Sequence, residues 1–387
     1  MVGVKGDHKM RLAFCLFKYF PYGGLQRKML SIAKICRGRG YIVDIYTRSW
    51  DGPMPEKMKV YLIPAKGKTN HAKNESYAKS VQEHLQRMPY DAVVGFNRMP
   101  GLDIYYAADA CYVERTQQTK SWIYRLTPRY RHFSAFEREV FAPEAGVELM
   151  MLSRVEQSYF MKWYETPAER FHILPPGISR DRMAPPNAAD IRLQWRAEFG
   201  FNESDRVILM VGSNFKGKGL DRVLLGVAAL PVDLRQTVHI IAIGKDKPDP
   251  FYKRAKRLGL SKQLSIYRGR DDVSRFFLGA DLFVHPAHIG ETAGNVILEA
   301  VASGLPALVT ESCGYAHYVE KAKAGLLVKV PFEQTEFDEK LQQMLISRKR
   351  KTWVRNGILF AKKEDLYSLP EAAADVIESC VLSQKSR

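Results

Sequence analysis

Along the chain, short runs of consecutive apolar residues alternate with stretches in which apolar residues recur every three or four positions. The runs 11–17, 41–46, 58–63, 92–96, 149–152 and 171–174 are too short for helices and carry little polar alternation. They predict strands covered on both faces. Between them, 26–38, 76–87 and a segment ending near Tyr164 carry the helical period. A second series follows, with strands predicted at 207–211, 238–243, 264–267, 282–285, 306–309 and 325–328 and helices at 220–229, 249–258, 273–278 and 293–303. Strand–helix alternation of this kind builds a parallel, doubly wound sheet. Pro175-Pro176-Gly177 and Pro185-Pro186-Asn187 separate the two series, and fixed proline geometry with polar filler suits a hinge. The pattern therefore predicts an α/β protein of two facing Rossmann-like domains, 10–174 and 188–365, joined by a hinge at 175–187. A polar, disordered head over 1–9 and a helix within 366–387 that crosses back to the first domain complete the expectation. Ligands of such sheets sit at the carboxyl ends of the strands, which places a cleft between the two domains.

Composition narrows the choices. A chain of 387 residues with 46% apolar and 26% charged residues fits two globular cores and excludes disorder or fibrous structure. The 59 Lys and Arg against 42 Asp and Glu, a net +17, call for an anionic partner: a phosphate-bearing substrate, nucleic acid or an acidic membrane. No nucleic-acid-binding motif is present, so nucleic acid is not expected as a partner. Cys15, Cys36, Cys111, Cys313 and Cys380 never form a CxxC pair, which removes zinc ribbons and disulfide frameworks and reads as a reducing cytosol. His71, His285, His288 and His317 lack metal-ligand spacing, so no metal site is expected. The apolar run 12–17 is too short for a signal peptide, and 293–310 contains Asn295, Glu299 and Pro306, which do not suit a bilayer span. No GxGxxG follows a strand, which disfavours a nicotinamide oxidoreductase.

Chemistry concentrates in Glu291-Thr-Ala-Gly-Asn-Val-Ile-Leu-Glu299, which starts just after a strand and runs into an amphipathic helix. Gly294, Asn295 and Val296 fall at the helix start, where free N–H groups and the helix dipole favour a diphosphate. Eight residues of helix span about 12 Å. That is the reach of a nucleoside diphosphate sugar, so Glu291 and Glu299 can accept hydrogen bonds from its two ends. Gly212-Ser-Asn-Phe-Lys-Gly-Lys-Gly219 follows a strand with the glycine and lysine content of a phosphate cradle, but without the Gly-Lys-Ser/Thr order of a P-loop. Gly23-Gly24 lets backbone approach a ligand closely between the first strand and helix.

On these residues the sequence resembles the retaining glycosyltransferases of the GT-B fold, over nearly the whole chain from Met10. Within them it is similar to the lipopolysaccharide core glucosyltransferases that add the first glucose to the inner-core heptose. The blocks Phe14–Arg27, Gly95–Asp103, Arg125–His132, Cys313–Tyr318 and Asp365–Pro370 carry that likeness. The resemblance implies UDP-glucose as donor, retention of the α-anomer with an α-1,3 linkage, no metal or other cofactor, and a heptose-containing lipopolysaccharide acceptor. It also implies a peripheral place on the cytoplasmic face of a Gram-negative inner membrane. Other UDP-sugar hexosyltransferases, UDP-galactose as donor, and a nucleotide-sugar epimerase or hydrolase of the same fold are the alternatives. By resemblance Lys218 is the phosphate-binding lysine; the arginine usual before it is Gly217 here, and Lys216 supplies a nearby charge. Arg182 lines the donor side, and the Arg268-Gly269-Arg270 loop reads the uracil edge. Lys28 stands where the family carries an acidic residue.

Asn97, Asp103 and Asp109 are expected on the acceptor side, with Asp109 orienting or deprotonating the acceptor hydroxyl beside Glu291 at the reacting sugar. The strand–helix alternation lapses between Ala107 and Phe141. Within the segment 111–141, Arg115, Lys120, Arg125, Arg129, Arg131 and Arg138 face Glu137 alone among carboxylates from 115 to 138, interleaved with Trp122, Tyr124, Tyr130, Phe133 and Phe136. Basic and aromatic residues mixed in this way suit an anionic lipid surface.

Overall fold

The computed structural model describes residues 9–385 apart from Tyr22 and Ile289, so all of the head expected over 1–9 except Lys9 lies outside the described residues. The chain forms two compact units, Met1–Pro175 with Ser368–Arg387, and Pro176–Tyr367.

In the first unit, β1 (Arg11–Leu16), β2 (Ile42–Thr47), β3 (Lys59–Leu62), β4 (Ala92–Gly95), β5 (Ile104–Ala107), β6 (Glu148–Met151) and β7 (Phe171–Ile173) form a parallel sheet in the order β3-β2-β1-β4-β5-β6-β7. In the second unit, β8 (Arg206–Val211), β9 (Val238–Ile243), β10 (Leu264–Tyr267), β11 (Leu282–His285), β12 (Ala307–Thr310) and β13 (Gly325–Val328) are ordered β10-β9-β8-β11-β12-β13, again all parallel. Central strands are apolar throughout because helices cover both faces: Leu12 to Leu16 and Val207 to Met210 are essentially inaccessible. Each order reverses beside its first strand, between β1 and β4 and between β8 and β11. Those are the switch points where doubly wound sheets leave a crevice for ligands.

The sequence pattern does not reveal β5. Its four residues Ile104-Tyr105-Tyr106-Ala107 are all buried, but the run is short and half of it is tyrosine, so it does not stand out as an apolar strand. Arg98 resembles it in being hidden: its guanidinium lies 3.4 Å from the buried Glu137, and Glu137 in turn accepts from the Tyr112 amide. The expected hinge also differs from what forms. Residues 176–187 are bound into the second unit, with Ile178 N donating to Leu366 O at 2.9 Å, Ala184 N to Ala302 O at 3.1 Å and Ser303 Oγ to Arg182 O at 2.8 Å. The second unit therefore starts at Pro176 instead of 188 and ends at Tyr367 instead of 365. After it, the helix Leu369–Lys385 joins the first unit, burying Ala373, Ala374, Ile377 and Val381 while Arg39 pairs with Asp375 at 2.6 Å and Glu378 at 2.9 Å.

The basic aromatic segment folds as the helix Tyr112–Thr119, a 3-10 turn Trp122–Leu126 and the helix Pro128–Phe141. Thr127 caps the last helix, its hydroxyl accepting from Tyr130 N at 3.2 Å, and Pro128 suits the first helical position. Phe136, Val140 and Phe141 turn into the core.

Candidate active site

Two loops leave the switch point of the second sheet, one from β8 carrying Gly212 to Gly219 and one from β11 carrying Glu291. The structure joins them: Lys218 Nζ donates to Glu291 Oε1, with both side chains largely covered. Gly212 makes this possible, since its φ of +119° disfavours any other residue and a Cβ there would lie 2.5 Å from Lys218 Cε. Beneath them His285, the last residue of β11 and wholly buried, brings Nε2 to 3.5 Å from Glu291 Oε2, an ion-pairing distance. Burial by itself raises the Glu291 carboxyl; the His285 ring and the Lys218 ammonium outweigh that and hold it at about 2. Burial lowers His285, and the Cys313 thiol and Glu291 carboxylate together raise it above its ordinary value.

The Glu291 loop is pinned from the carboxyl side of β12. Gly314 N donates to Glu291 O and Tyr315 N to Ala293 O, each at 2.8 Å. The helix then starts at Asn295 instead of the expected 293, because Gly294 takes φ +84° as its N-cap. Asn295 Oδ1 is buried there without a hydrogen-bond partner, and Val296 is half-buried beside it. Glu299, about 6 Å further along the axis, has Oε2 3.9 Å from Arg182 Nε. Two cation–carboxylate pairs thus stand by this helix, Lys218 with Glu291 in the loop before it and Arg182 with Glu299 on it. Such pairs can exchange a carboxylate for a diphosphate on the cation and leave the carboxylate to accept from hydroxyls.

Other expected residues stand apart from this group. Lys216 is exposed and takes no part in the bonds that draw Lys218 inward. Arg270 closes on Asp272 through Nε at 2.7 Å and Nη2 at 2.8 Å, so its side chain stiffens its own loop. In the first unit Gly23 is the N-cap of the helix Gly24–Gly38, with Gln26 folded against it to reach Lys18 O at 3.0 Å. Asn97 and Asp109 lie past the carboxyl ends of β4 and β5. Asn97 Oδ1 accepts from Phe17 N at 2.8 Å, and Asp109 is exposed on a bend whose carbonyl accepts from Arg98 at 2.9 Å. Asp103 does not join them. It precedes β5, at the amino end of the sheet, where it accepts from Val93 N at 2.7 Å and meets Gln384 at 3.3 Å. The unrecognised strand is the reason: the chain crosses the sheet once more between Asp103 and Asp109.

Of the expected membrane-contact residues, Arg115, Lys120, Trp122, Arg125, Arg129 and Arg131 are exposed. Tyr124 and Tyr130 instead turn toward Tyr112, whose hydroxyl meets that of Tyr124 at 3.0 Å. Ile123 and Leu126, not expected at the surface, are 58% and 59% exposed beside Trp122 at 70%. His285 is the member of this cluster that the sequence did not single out; the signal is a lone histidine closing an otherwise apolar strand at its carboxyl end. Among the described residues no three His, Cys, Asp or Glu gather as metal ligands, and no helix is long and apolar enough to cross a membrane.

Residues 191–360 match the family model for glycosyl transferases group 1. The lipopolysaccharide glucosyltransferase WaaG of Escherichia coli (strain K12) is 46% identical over 369 residues, which is 95% of this chain and 98% of that protein. A crystal structure of WaaG, a glycosyltransferase involved in lipopolysaccharide biosynthesis, superposes with a TM-score of 0.89 at 45% identity, covering 95% of this chain and 99% of that one. Anabaena Alr3699/HepE, crystallised with UDP and glucose, shares the fold with a TM-score of 0.73 at 19% identity, over 96% of this chain and all 100% of its own. Two parallel sheets of the same strand order, the paired carboxylates on the second, and near-complete coverage of a relative at this identity lead to one conclusion: the chain is a glycosyltransferase of the GT-B architecture and belongs to the WaaG family.

Proposed function

We propose that the protein transfers glucose from UDP-glucose to the inner-core heptose of lipopolysaccharide, with retention and without a metal. The observation that carries this reading is the Lys218–Glu291 pair at the switch point of the second sheet. On donor binding Lys218 turns from Glu291 to the diphosphate, Arg182 does the same from Glu299, and the start of the helix Asn295–Ala302 adds its dipole. Glu291, released but still held anionic by His285, accepts from glucose hydroxyls, and Glu299 accepts from the ribose. The cations and the helix supply the leaving-group stabilisation that a divalent ion supplies elsewhere. In this reading Glu291 and Glu299 bind hydroxyls and neither attacks the anomeric carbon, so retention proceeds by attack on the face that the diphosphate leaves, with Asp109 orienting the acceptor hydroxyl. Family membership supports the acceptor, and the 46% identity to the lipopolysaccharide glucosyltransferase supports the donor.

The exposed Trp122, Ile123 and Leu126, with Lys120, Arg125, Arg129 and Arg131 exposed in the same segment, support a peripheral place on an anionic membrane surface, the cytoplasmic face of the inner membrane in this reading.

The test is transfer of labelled glucose from UDP-glucose to heptose-terminated lipopolysaccharide in the presence of a chelator, with the anomeric configuration of the product read by NMR. Activity confined to added magnesium or manganese would remove the metal-free mechanism. Equal turnover with UDP-galactose would remove the donor assignment, and release of free glucose at the rate of consumption would make the protein a hydrolase. Trapping a covalent glucosyl-enzyme would replace front-side attack.

A further inference from the structure

In the first unit one half-buried guanidinium has no carboxylate beside it among the described residues. Arg48 follows β2 and lies against β1: its backbone N and its Nε both donate to Phe17 O, at 3.1 and 3.2 Å, and its guanidinium carbon stands 5.1 Å over the Phe17 ring. Its Nη1 is buried without a hydrogen-bond partner. Among the described residues no carboxylate lies within ion-pairing distance of it, and burial lowers its pKa against a smaller opposing effect of the Tyr77 phenol.

Arg11, Arg98, Arg182, Arg254 and Arg350 also keep a buried Nε without a partner among the described residues, but several covered arginines differ from Arg48 in having an acid or a set of carbonyls for the rest of the guanidinium. Arg11 pairs with Asp44 at 2.6 Å, Arg98 with Glu137, and Arg192 and Arg196 with Asp281. Arg170 has no carboxylate but gives Nε, Nη1 and Nη2 to the carbonyls of Val147, Ala142 and Val140. A desolvated guanidinium nitrogen without an acceptor is costly, and a bound anion would remove that cost.

The surroundings specify the ligand. Phe17 N donates to Asn97 Oδ1, across the switch point between β1 and β4, while Phe17 O receives Arg48. One residue therefore ties both side chains to the crevice position of this sheet. With Oδ1 committed, the Asn97 amide offers N–H donors. Guanidinium and amide together present donors alone, the chemistry of an oxyanion site. Two residues beyond Arg48, Trp50 stacks on Tyr19 with centroids 3.7 Å apart, and Phe20 next to Tyr19 is 43% exposed. An aromatic platform beside an oxyanion site fits a charged saccharide.

We propose that Arg48 and Asn97 form a subsite in the first unit for an anionic substituent, carboxylate or phosphate, on the acceptor saccharide. This rests on the glycosyltransferase reading above and adds a specificity determinant to it. The subsite distinguishes acceptors by charge and leaves the donor untouched.

The test uses the full chain and heptose-terminated lipopolysaccharide core in three forms: untreated, dephosphorylated with hydrofluoric acid, and reduced at its carboxylates. Acceptor KM, UDP-glucose KM and acceptor binding without donor are measured for the parent protein, Arg48→Met, which keeps packing on Phe17, and Arg48→Lys. The expected result is a tenfold or greater rise in acceptor KM for Arg48→Met on the untreated form, partial recovery in Arg48→Lys, and unchanged UDP-glucose KM. The form lacking the recognised group should bind the parent protein as weakly as Arg48→Met binds the untreated form, which says whether phosphate or carboxylate is read. A loss in Arg48→Met of equal size on all three forms, or a lowered melting temperature with unchanged KM, would make Arg48 a structural pin and overturn the proposal. If no form is glycosylated, the transferase reading fails, and acceptor binding without donor still decides the subsite: charge-dependent binding lost in Arg48→Met upholds it, and identical binding by both proteins overturns it.

Discussion

Glu291 is held by the Lys218 ammonium and the His285 ring at once, and that sets what its substitution should do. Glu291→Gln should cost turnover far more than UDP affinity, because it removes an acceptor for glucose hydroxyls while freeing Lys218 for the diphosphate. Glu299→Ala should act the other way. A hydrogen bond to a charged group is worth about 1.5–3 kcal/mol, so its UDP dissociation constant should rise roughly tenfold or more; titration calorimetry with UDP separates the two variants. Gly212→Ala should resemble loss of Lys218, since a methyl at φ +119° and 2.5 Å from Lys218 Cε must displace that side chain. Steady-state kinetics alongside Lys218→Met would show matched losses. The acid limb of stability follows from the same cluster. Glu291 titrates at about 2 in the folded protein against an ordinary 4.5, so the folded state binds fewer protons than the unfolded one between those values. Its contribution is complete above about 4.5, declines as pH falls, and is gone below about 2. Urea unfolding at a series of pH values from about 5 down to about 3 should show a shallower loss of stability in Glu291→Gln than in the parent.

The 3-10 turn Trp122–Leu126 and the helix Pro128–Phe141 leave apolar and basic side chains together at the surface. Replacing Arg125, Arg129 and Arg131 by Gln should weaken binding to anionic vesicles by about 3 kcal/mol, at about 1 kcal/mol for each basic residue near the surface. Replacing Trp122, Ile123 and Leu126 by Ser should weaken it at high salt as well, where the charges are screened. Co-sedimentation with neutral and anionic vesicles reads both effects, and equal binding to the two would assign this element to the fold alone. How much of this was legible in sequence depends on the kind of signal. The charge excess and Trp122 were visible, because composition records them without reference to a neighbour. That Tyr124 and Tyr130 turn to Tyr112 while Ile123 and Leu126 turn outward was not, because a five-residue 3-10 turn has no long period to betray its faces. The same contrast holds for the strands. Residues 207–211 and 240–243 declare themselves by uninterrupted apolar residues, whereas Ile104–Ala107 needs the buried Tyr105 and Tyr106 to be recognised as core. Asp103 was displaced from the acceptor side for that reason alone. Glu291 and Glu299 were legible through spacing from a helix start; the direct Lys218–Glu291 contact was not, since 73 residues separate the partners in sequence.

At the scale of the molecule, the second unit is inserted between Pro175 and Ser368 of the first. The helix Leu369–Lys385 covers one side of the helix Gly24–Gly38, and Ile377 and Val381 are buried in doing so. Fully burying a side chain of this size stabilises by about 1.5–3 kcal/mol. A chain ended after Tyr367 should therefore lose on the order of several kcal/mol from its first unit, visible in calorimetry as a melting transition moved to lower temperature while UDP binding at the second unit persists. The insertion also imposes an order on synthesis. A ribosome delivers all seven strands of the first sheet, then the whole of the second unit, and only then the helix that seals the first. For the time needed to translate residues 176–367, the side of the helix Gly24–Gly38 that the last helix covers waits for a partner that the chain has not yet made. Nascent chains stalled before residue 368 should accordingly be the ones that general chaperones hold longest, and release should coincide with emergence of the last helix.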